Sequence, residues 1–277
     1  MNLFKKIQNR VMRFKAGWNA RVTYSSYKDA LAACQLGYED YEIISVVAKK
    51  TRHFIKALET MPQIDSASVC GMYSLLYCLF KKHKDSPYAF SVLDVGGACG
   101  ANYFRIKALL GNEVKWRWHV VETPSMTEAG KLFTTSDELS FFPAHDIEKA
   151  QKLLNGIDMI YLSGSLQYME DPIACLKNLL SYEAEYIYIG RLPLRERERI
   201  ITVQKHLLSD NGIGALPEGF KDKWKAYPVT FVSKRELMDV LSKKYDVINE
   251  FHDNSGAVAF WNVRSGGFLV KKRSKAE

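Results

Sequence analysis

Nowhere does the sequence hold a run approaching the 18 or more apolar residues of a membrane-spanning helix. Cysteine is scarce. The five residues, at 34, 70, 78, 99 and 175, are odd in number and form no C-x-x-C pair. That pattern excludes a disulfide framework and a zinc site, and the thiols read as reduced. The N-terminal "MNLFKKIQNRVMRFK" carries bases but no continuous apolar stretch, unlike a secretory signal, so a cytoplasmic location is expected. Glycine–proline linkers, internal repeats and low-complexity tracts are also missing. The 47% apolar and 25% charged residues that remain suit a folded domain with a sizeable core.

The net charge of +8, from 39 Lys/Arg against 31 Asp/Glu, suggests a nucleic-acid partner until it is located. Residues 1–28 hold seven Lys/Arg and no acid, and residues 264–277 hold five Lys/Arg and one acid. The body between therefore carries three more acids than bases. This argues against a basic nucleic-acid groove across the fold, no nucleic-acid partner is expected, and two basic ends need another account. At the first end, Phe4, Ile7, Val11 and Phe14 lie beside Lys5, Lys6, Arg10 and Arg13. This face either docks on the domain, the more ordinary outcome, or makes a weak peripheral contact with an anionic membrane.

Residues 1–87 read as a helical extension, with "ASVCGMYSLLYCLFKK" apolar on nearly all sides. From 88 the pattern changes to short apolar strands: 90–95, 116–122, 139–142, 158–163, 186–190, 245–251 and 258–263. Helical segments fit between them at 101–110, 125–132, 146–154, 171–181 and 233–244. The alternation predicts an α/β, Rossmann-like, doubly wound and mostly parallel seven-stranded sheet over 88–277. "HDNSGA" joins the last two strands in an antiparallel edge hairpin, and 191–232 reads as an insertion on the substrate side. "RERER" (195–199) reads as a solvated helix face, and "SKRE" at 233–236 as a capping box.

In such a sheet the ligand sits beyond the carboxyl ends of the strands, so the first strand and its loop matter most. They read Asp94-Val95-Gly96-Gly97-Ala98-Cys99-Gly100. The G-x-G-x-x-G spacing of a dinucleotide turn fails, and no Lys-Ser/Thr follows as a P-loop requires. A carboxylate at Asp94 repels phosphate but suits an ammonium group. Glu122 ends the second strand, 28 residues on, where an acid can accept two ribose hydroxyls, with Thr123 beside it. Asp146 and Ile147 follow the third strand, where a carboxylate can take an adenine amino group or simply cap a helix. The fourth strand runs into Ser163-Gly164, small enough for a bulky ligand to approach, and Asp171-Pro172 looks like a helix start.

This series resembles the class I S-adenosylmethionine-dependent methyltransferases over about 88–270. More narrowly, "LDVGGACGANYF", "HVVETPSM", "MIYLSGSLQYMEDP", "YIGRLPL" and "YPVTFVSKREL" are similar to a bacterial family of methyltransferase-like proteins often encoded beside surface-polysaccharide genes. The resemblance implies S-adenosylmethionine as cofactor, bound by Asp94, Gly96, Gly97, Ala98, Gly100, Glu122, Thr123, Asp146, Ile147, Ser163 and Gly164. It also implies a small-molecule or carbohydrate-precursor acceptor and places Tyr24 in a lid. One departure is Ala98, where the family's middle glycine stands; a positive φ there is strained. After the fourth strand stands Ser163-Gly164-Ser165-Leu166 in place of the Asn/Asp-Pro-Pro-Tyr/Phe of amino methylation, no cysteine of C5-cytosine chemistry lies at that strand, and Ser163 holds the strand end where a metal site needs acids, so no metal is expected. For an oxygen or carboxylate acceptor the candidates are Gln167, Tyr168 and Arg191, with Glu170 nearby, though Glu170 reads mainly as structural. The rival readings are a non-catalytic protein that binds the same cofactor and an NAD-dependent oxidoreductase.

Overall fold

The computed structural model of the chain describes residues 22–34, 37–60, 67–82, 89–134, 137–258 and 261–274; from 253 to 258 it describes the backbone alone. The expected amphipathic segment with Phe4, Ile7, Val11 and Phe14 lies outside the described residues. Among the described residues no helix is long and apolar enough to cross a membrane.

The core is a sheet whose strands are too apolar to leave either face in water. β1 (Thr23–Tyr24) precedes β2 (Phe90–Val95), in which all six residues are buried. β3 (Trp116–Glu122), β4 (Leu139–Pro143), β5 (Met159–Ser163) and β6 (Tyr186–Arg195) continue the parallel order β4-β3-β2-β5-β6. β10 (Val263–Lys272) lies antiparallel against β6, and β9 (Tyr245–Val258) pairs with β10 at the edge. Seven strands thus form the expected doubly wound sheet with its antiparallel hairpin. Side chains alternate as strand geometry demands. Leu93 and Val95 join the cluster under one face with Ile160, Leu162, Ile187 and Ile189, whereas Val92, Trp118 and Tyr161 point to the other.

Helices cover both faces. α1 (Tyr27–Ala32), α2 (Tyr41–Leu58) and α3 (Val69–Lys82) come first, then α4 (Ala101–Leu110), α5 (Pro124–Lys131), α6 (Ile147–Leu154), α7 (Pro172–Leu180) and α8 (Lys234–Leu241). Local rules set their starts. Asp171 Oδ1 accepts from Ile173 N and Ala174 N at 3.0 Å each, with Pro172 at the first turn. Ser233 Oγ likewise accepts from Glu236 N.

Three expectations are corrected. The segment 191–232 is not simply an insertion. β6 runs on to Arg195 and pairs at its tip with β8 (Trp224–Ser233), which is antiparallel to β7 (Ile200–Leu207); β7 in turn pairs with β1. "RERER" is not helical but the end of β6 followed by a bend: Arg195 Nε donates to Trp261 O, and Arg199 pairs with Asp171. The last strand is 263–272, not 258–263, because β9 continues through the expected turn to Val258. Gly266 and Gly267 disguise a strand whose Phe268, Leu269 and Val270 are fully buried. The basic C-terminal end is therefore largely sheet, with Lys271, Lys272 and Arg273 paired to Glu185, Glu183 and Asp246. Tyr24, placed in a lid by resemblance, stands in β1 opposite Ile201.

Candidate functional site

The carboxyl ends of β2, β5 and β6 open into a cleft of about 1170 Å³. Gly96, Gly97 and Ala98 form one wall, Ser163 and Arg191 line it from β5 and β6, and residues 49–57 of α2 close it opposite. α2 is held there by Ile43, Ile44, Val46 and Val47, which pack on Cys99, Met126 and Phe133. Its buried Lys50 latches it further, donating from Nζ to Ser209 O and Asn211 O at 2.7 Å each. Burial lowers the pKa of this lysine, against the pull of Asp210 and Asp222.

Asp94 is the first surprise. It was expected to meet an ammonium group directly, but it lies 1% exposed beneath the loop rather than on the cleft surface. Trp118 Nε1 donates to its Oδ2 at 3.1 Å, and the carboxylate presses so closely on Gly97 that any Cβ there would collide with it. Burial pushes the carboxyl up to about 7, despite the Trp118 bond, and the Glu122 charge adds to the rise. Gly97 is thus glycine for space, so that the loop can settle on an acid.

Ala98 carries the positive φ that the sequence made uncomfortable, at 50°. Its N–H donates to Glu122 Oε1 at 2.9 Å, and Thr123 N–H donates to Oε2 at 2.9 Å. A carboxylate accepts about four hydrogen bonds, so this half-buried clamp leaves acceptor capacity on Glu122, although neither Glu122 nor Thr123 is among the residues lining the cleft. Burial raises the pKa of Glu122, and the two N–H bonds oppose that rise. Ala98→Gly is expected to stabilise the fold by about 0.5–1 kcal/mol, because glycine adopts this φ without the alanine penalty. A lower unfolding midpoint for the variant would refute this.

Gly100 caps the start of α4 with φ 77°, between the lining residues Ala98 and Ala101 but not itself in the lining. Asp146 and Ile147 lie at the start of α6, also outside the lining, and Asp146 makes no side-chain capping bond. Gln167 is buried and outside the lining, donating from Nε2 to Arg191 O at 3.3 Å, with its Oε1 lacking a partner among the described residues. Tyr168, expected at the acceptor, is committed elsewhere. Its ring lies 4.7 Å from Tyr38 and 5.5 Å from Tyr227, and its hydroxyl donates to Gln204 at 3.3 Å.

Arg191 does reach the cleft, by a route the strand pattern does not reveal. It was expected just after the fifth core strand, but it lies within β6. Gly266 opposes Leu192 and Phe268 opposes Ile189, so Gly190 and Arg191 share the single opposing residue Gly267. This bulge puts Arg191 at φ 55° and turns its side chain over Gly164. At Gly164, φ is 73° and a Cβ would crowd the guanidinium, so glycine is required twice over.

Sequence reasoning missed Lys49, Lys50, Arg52, Arg105 and the 210–218 loop, all of which line the cleft. The 210–218 loop falls within 191–232, read from the sequence only as an insertion, and nothing local signals that it meets the cleft. Among the described residues no group of His, Cys, Asp or Glu can hold a metal ion.

The fold and site define a doubly wound α/β protein with a ligand cleft at its strand ends. No family model matches the chain, and no curated protein matches it. Solved structures of similar arrangement include the N-terminal domain of EvdMO1 with SAH bound, at 14% identity over 81% of this chain and 96% of that one, with a TM-score of 0.46. LepI in complex with SAM is similar at 12% identity over 94% of this chain and 65% of that one, with a TM-score of 0.47. CalS10, an amino pentose methyltransferase from Micromonospora echinaspora, is similar at 10% identity, covering 73% and 90%, with a TM-score of 0.43.

Proposed function

We infer that this chain is an S-adenosylmethionine-dependent methyltransferase acting on a small-molecule or carbohydrate-precursor acceptor, with an oxygen as the methylated atom. The observation that carries the reading is the acid-backed loop. Gly96, Gly97 and Ala98 offer backbone to the cleft, Asp94 supports them from below, and Glu122 ties Ala98 while keeping acceptor capacity. Two carboxylates at this turn disfavour a phosphate and favour a cationic ligand with a diol. The reversed β10 between β6 and β9 also departs from the 3-2-1-4-5-6 order of dinucleotide folds.

When bound, the cofactor supplies a methyl group on a positively charged sulfur. The protein's own task is then to align the acceptor and exclude water. Ser163 and Gly164 keep the end of β5 small, α2 covers the cleft, and Arg191 orients the acceptor from the bulge. Asp146 and Ile147, at the start of α6, stand on the adenine side in this reading.

Calorimetric titration with S-adenosylhomocysteine and with NADH tests it. Micromolar binding of the first and none of the second is expected; binding of NADH alone overturns the proposal. Incubation with labelled cofactor and a fractionated host extract then identifies the acceptor by its added methyl group.

A further inference from the structure

We propose that the acceptor carries an anionic group, a phosphate or a carboxylate, held between Arg191 on the β6 bulge and Lys49 and Arg52 on α2. This deepens the reading above and rests on it for the cofactor. The charge balance of the cleft motivates it. Among the described lining residues, five lysine and arginine side chains face only Asp210 and Glu218.

Two of the five are already employed in the fold. Lys50 is spent on the carbonyls of Ser209 and Asn211. Arg105 is buried, lies 5.0 Å over Phe54 and reaches Asn102 Oδ1 at 3.2 Å. The other three have no carboxylate partner among the described residues. Lys49 lies 4.8 Å over Phe220, Arg52 lies 5.8 Å over Phe133, and Arg191 rests on Gly164.

Single exposed cations are ordinary, but cations gathered round one cleft raise its potential and draw anions. Arg191 is also brought there at a cost. Its left-handed φ is unfavourable for arginine, and the bulge and the Gln167 bond to its carbonyl hold it in place. The proposed cofactor cannot supply the missing negative charge, because its sulfonium and ammonium outnumber its carboxylate. The acceptor must bring it. A guanidinium fork matches the paired oxygens of carboxylate and phosphate alike, and two further cations stand across the cleft.

The test titrates inorganic phosphate, glucose 1-phosphate, glucuronate and neutral glucose into the protein, with and without saturating S-adenosylhomocysteine. At least one anionic probe is expected to bind and glucose to fail; which anion binds separates the phosphate source from the carboxylate source. Arg191→Met, and separately Lys49→Gln with Arg52→Gln on the exposed side of α2, should each weaken that probe by roughly 10-fold or more. Added salt should weaken binding to wild type more than to either variant. Affinity for S-adenosylhomocysteine should stay within roughly twofold in the α2 variant, as expected of cations that serve the acceptor rather than the cofactor.

Glucose binding as tightly as the anions would overturn the proposal. So would anion binding indifferent to all three substitutions, or an equal loss of S-adenosylhomocysteine affinity in the α2 variant. Failure of S-adenosylhomocysteine to bind wild type would sink the cofactor reading instead, and anion titration of the free protein would still judge the cationic cluster.

Discussion

Replacing Asp94 with asparagine is expected to stabilise the protein at pH 8 by about 2–4 kcal/mol while changing it little at pH 4. The cause is the burial of Asp94 under the loop, which lifts its carboxyl from 3.8 to about 7. The folded pKa lies above the unfolded one, so the folded chain keeps a proton that the unfolded chain has lost. Stability attributable to this group is therefore full below about pH 4, falls as pH rises, and is lost above about pH 7. Asparagine keeps an oxygen for Trp118 Nε1 but has no charge to bury. Urea unfolding of both proteins at pH 4, 6 and 8 should give curves that diverge upward in pH; parallel curves would show that Asp94 carries no such load. The same acid gives the proposed site a pH signature. A cationic ligand favours the ionised form, so affinity for S-adenosylhomocysteine, through its ammonium group, should rise through pH 7 in wild type. In Asp94→Asn that rise should vanish, with affinity at pH 8 lower by about 1 kcal/mol, the scale of a charge acting through the loop rather than by a direct bond.

Glu122→Ala should act on the loop and the ligand together. It leaves Ala98 N–H and Thr123 N–H without their acceptor and removes the oxygens left over for a diol. An expected loss of about 1–3 kcal/mol in S-adenosylhomocysteine affinity accompanies a comparable loss of stability, since a left-handed alanine with an unpaired amide has little to hold it. Adding Ala98→Gly to Glu122→Ala should recover part of the stability but none of the lost ligand affinity. That non-additivity separates the two roles, because the residues touch. Full affinity in Glu122→Ala would move the ligand away from the end of β3.

The parts legible in the chain were those governed by neighbours in sequence. α4 runs over 101–110 as read, because a glycine turn opens it and Gly111 closes it. Asp171-Pro172 and Ser233 start helices by side-chain bonds that reach only two or three residues. The apolar strands and the Asp94–Gly100 turn follow from period-two burial and glycine spacing. Even the discomfort of Ala98 was visible, since its φ follows from its place in the turn.

Other features depend on which distant segments meet, and no local pattern carries that. The last strand hid behind Gly266-Gly267, because its apolar triplet gains meaning only when wedged between β6 and β9. Arg191 owes its aim to a register shift against residues more than seventy positions away. Tyr168 sat at the right sequence distance from β5, yet Tyr38, Gln204 and Tyr227 claim it. Lys49 and Arg52 fell within the helical extension with nothing local to single them out, and packing of α2 against Met126 and Phe133 sets them over the cleft. The sequence by itself determined an acid-backed turn on a doubly wound sheet. Tertiary structure decided that Asp94 lies under that turn and that cations line the cleft beside it, because burial and long-range register, unlike helix caps and turns, are set by the whole fold.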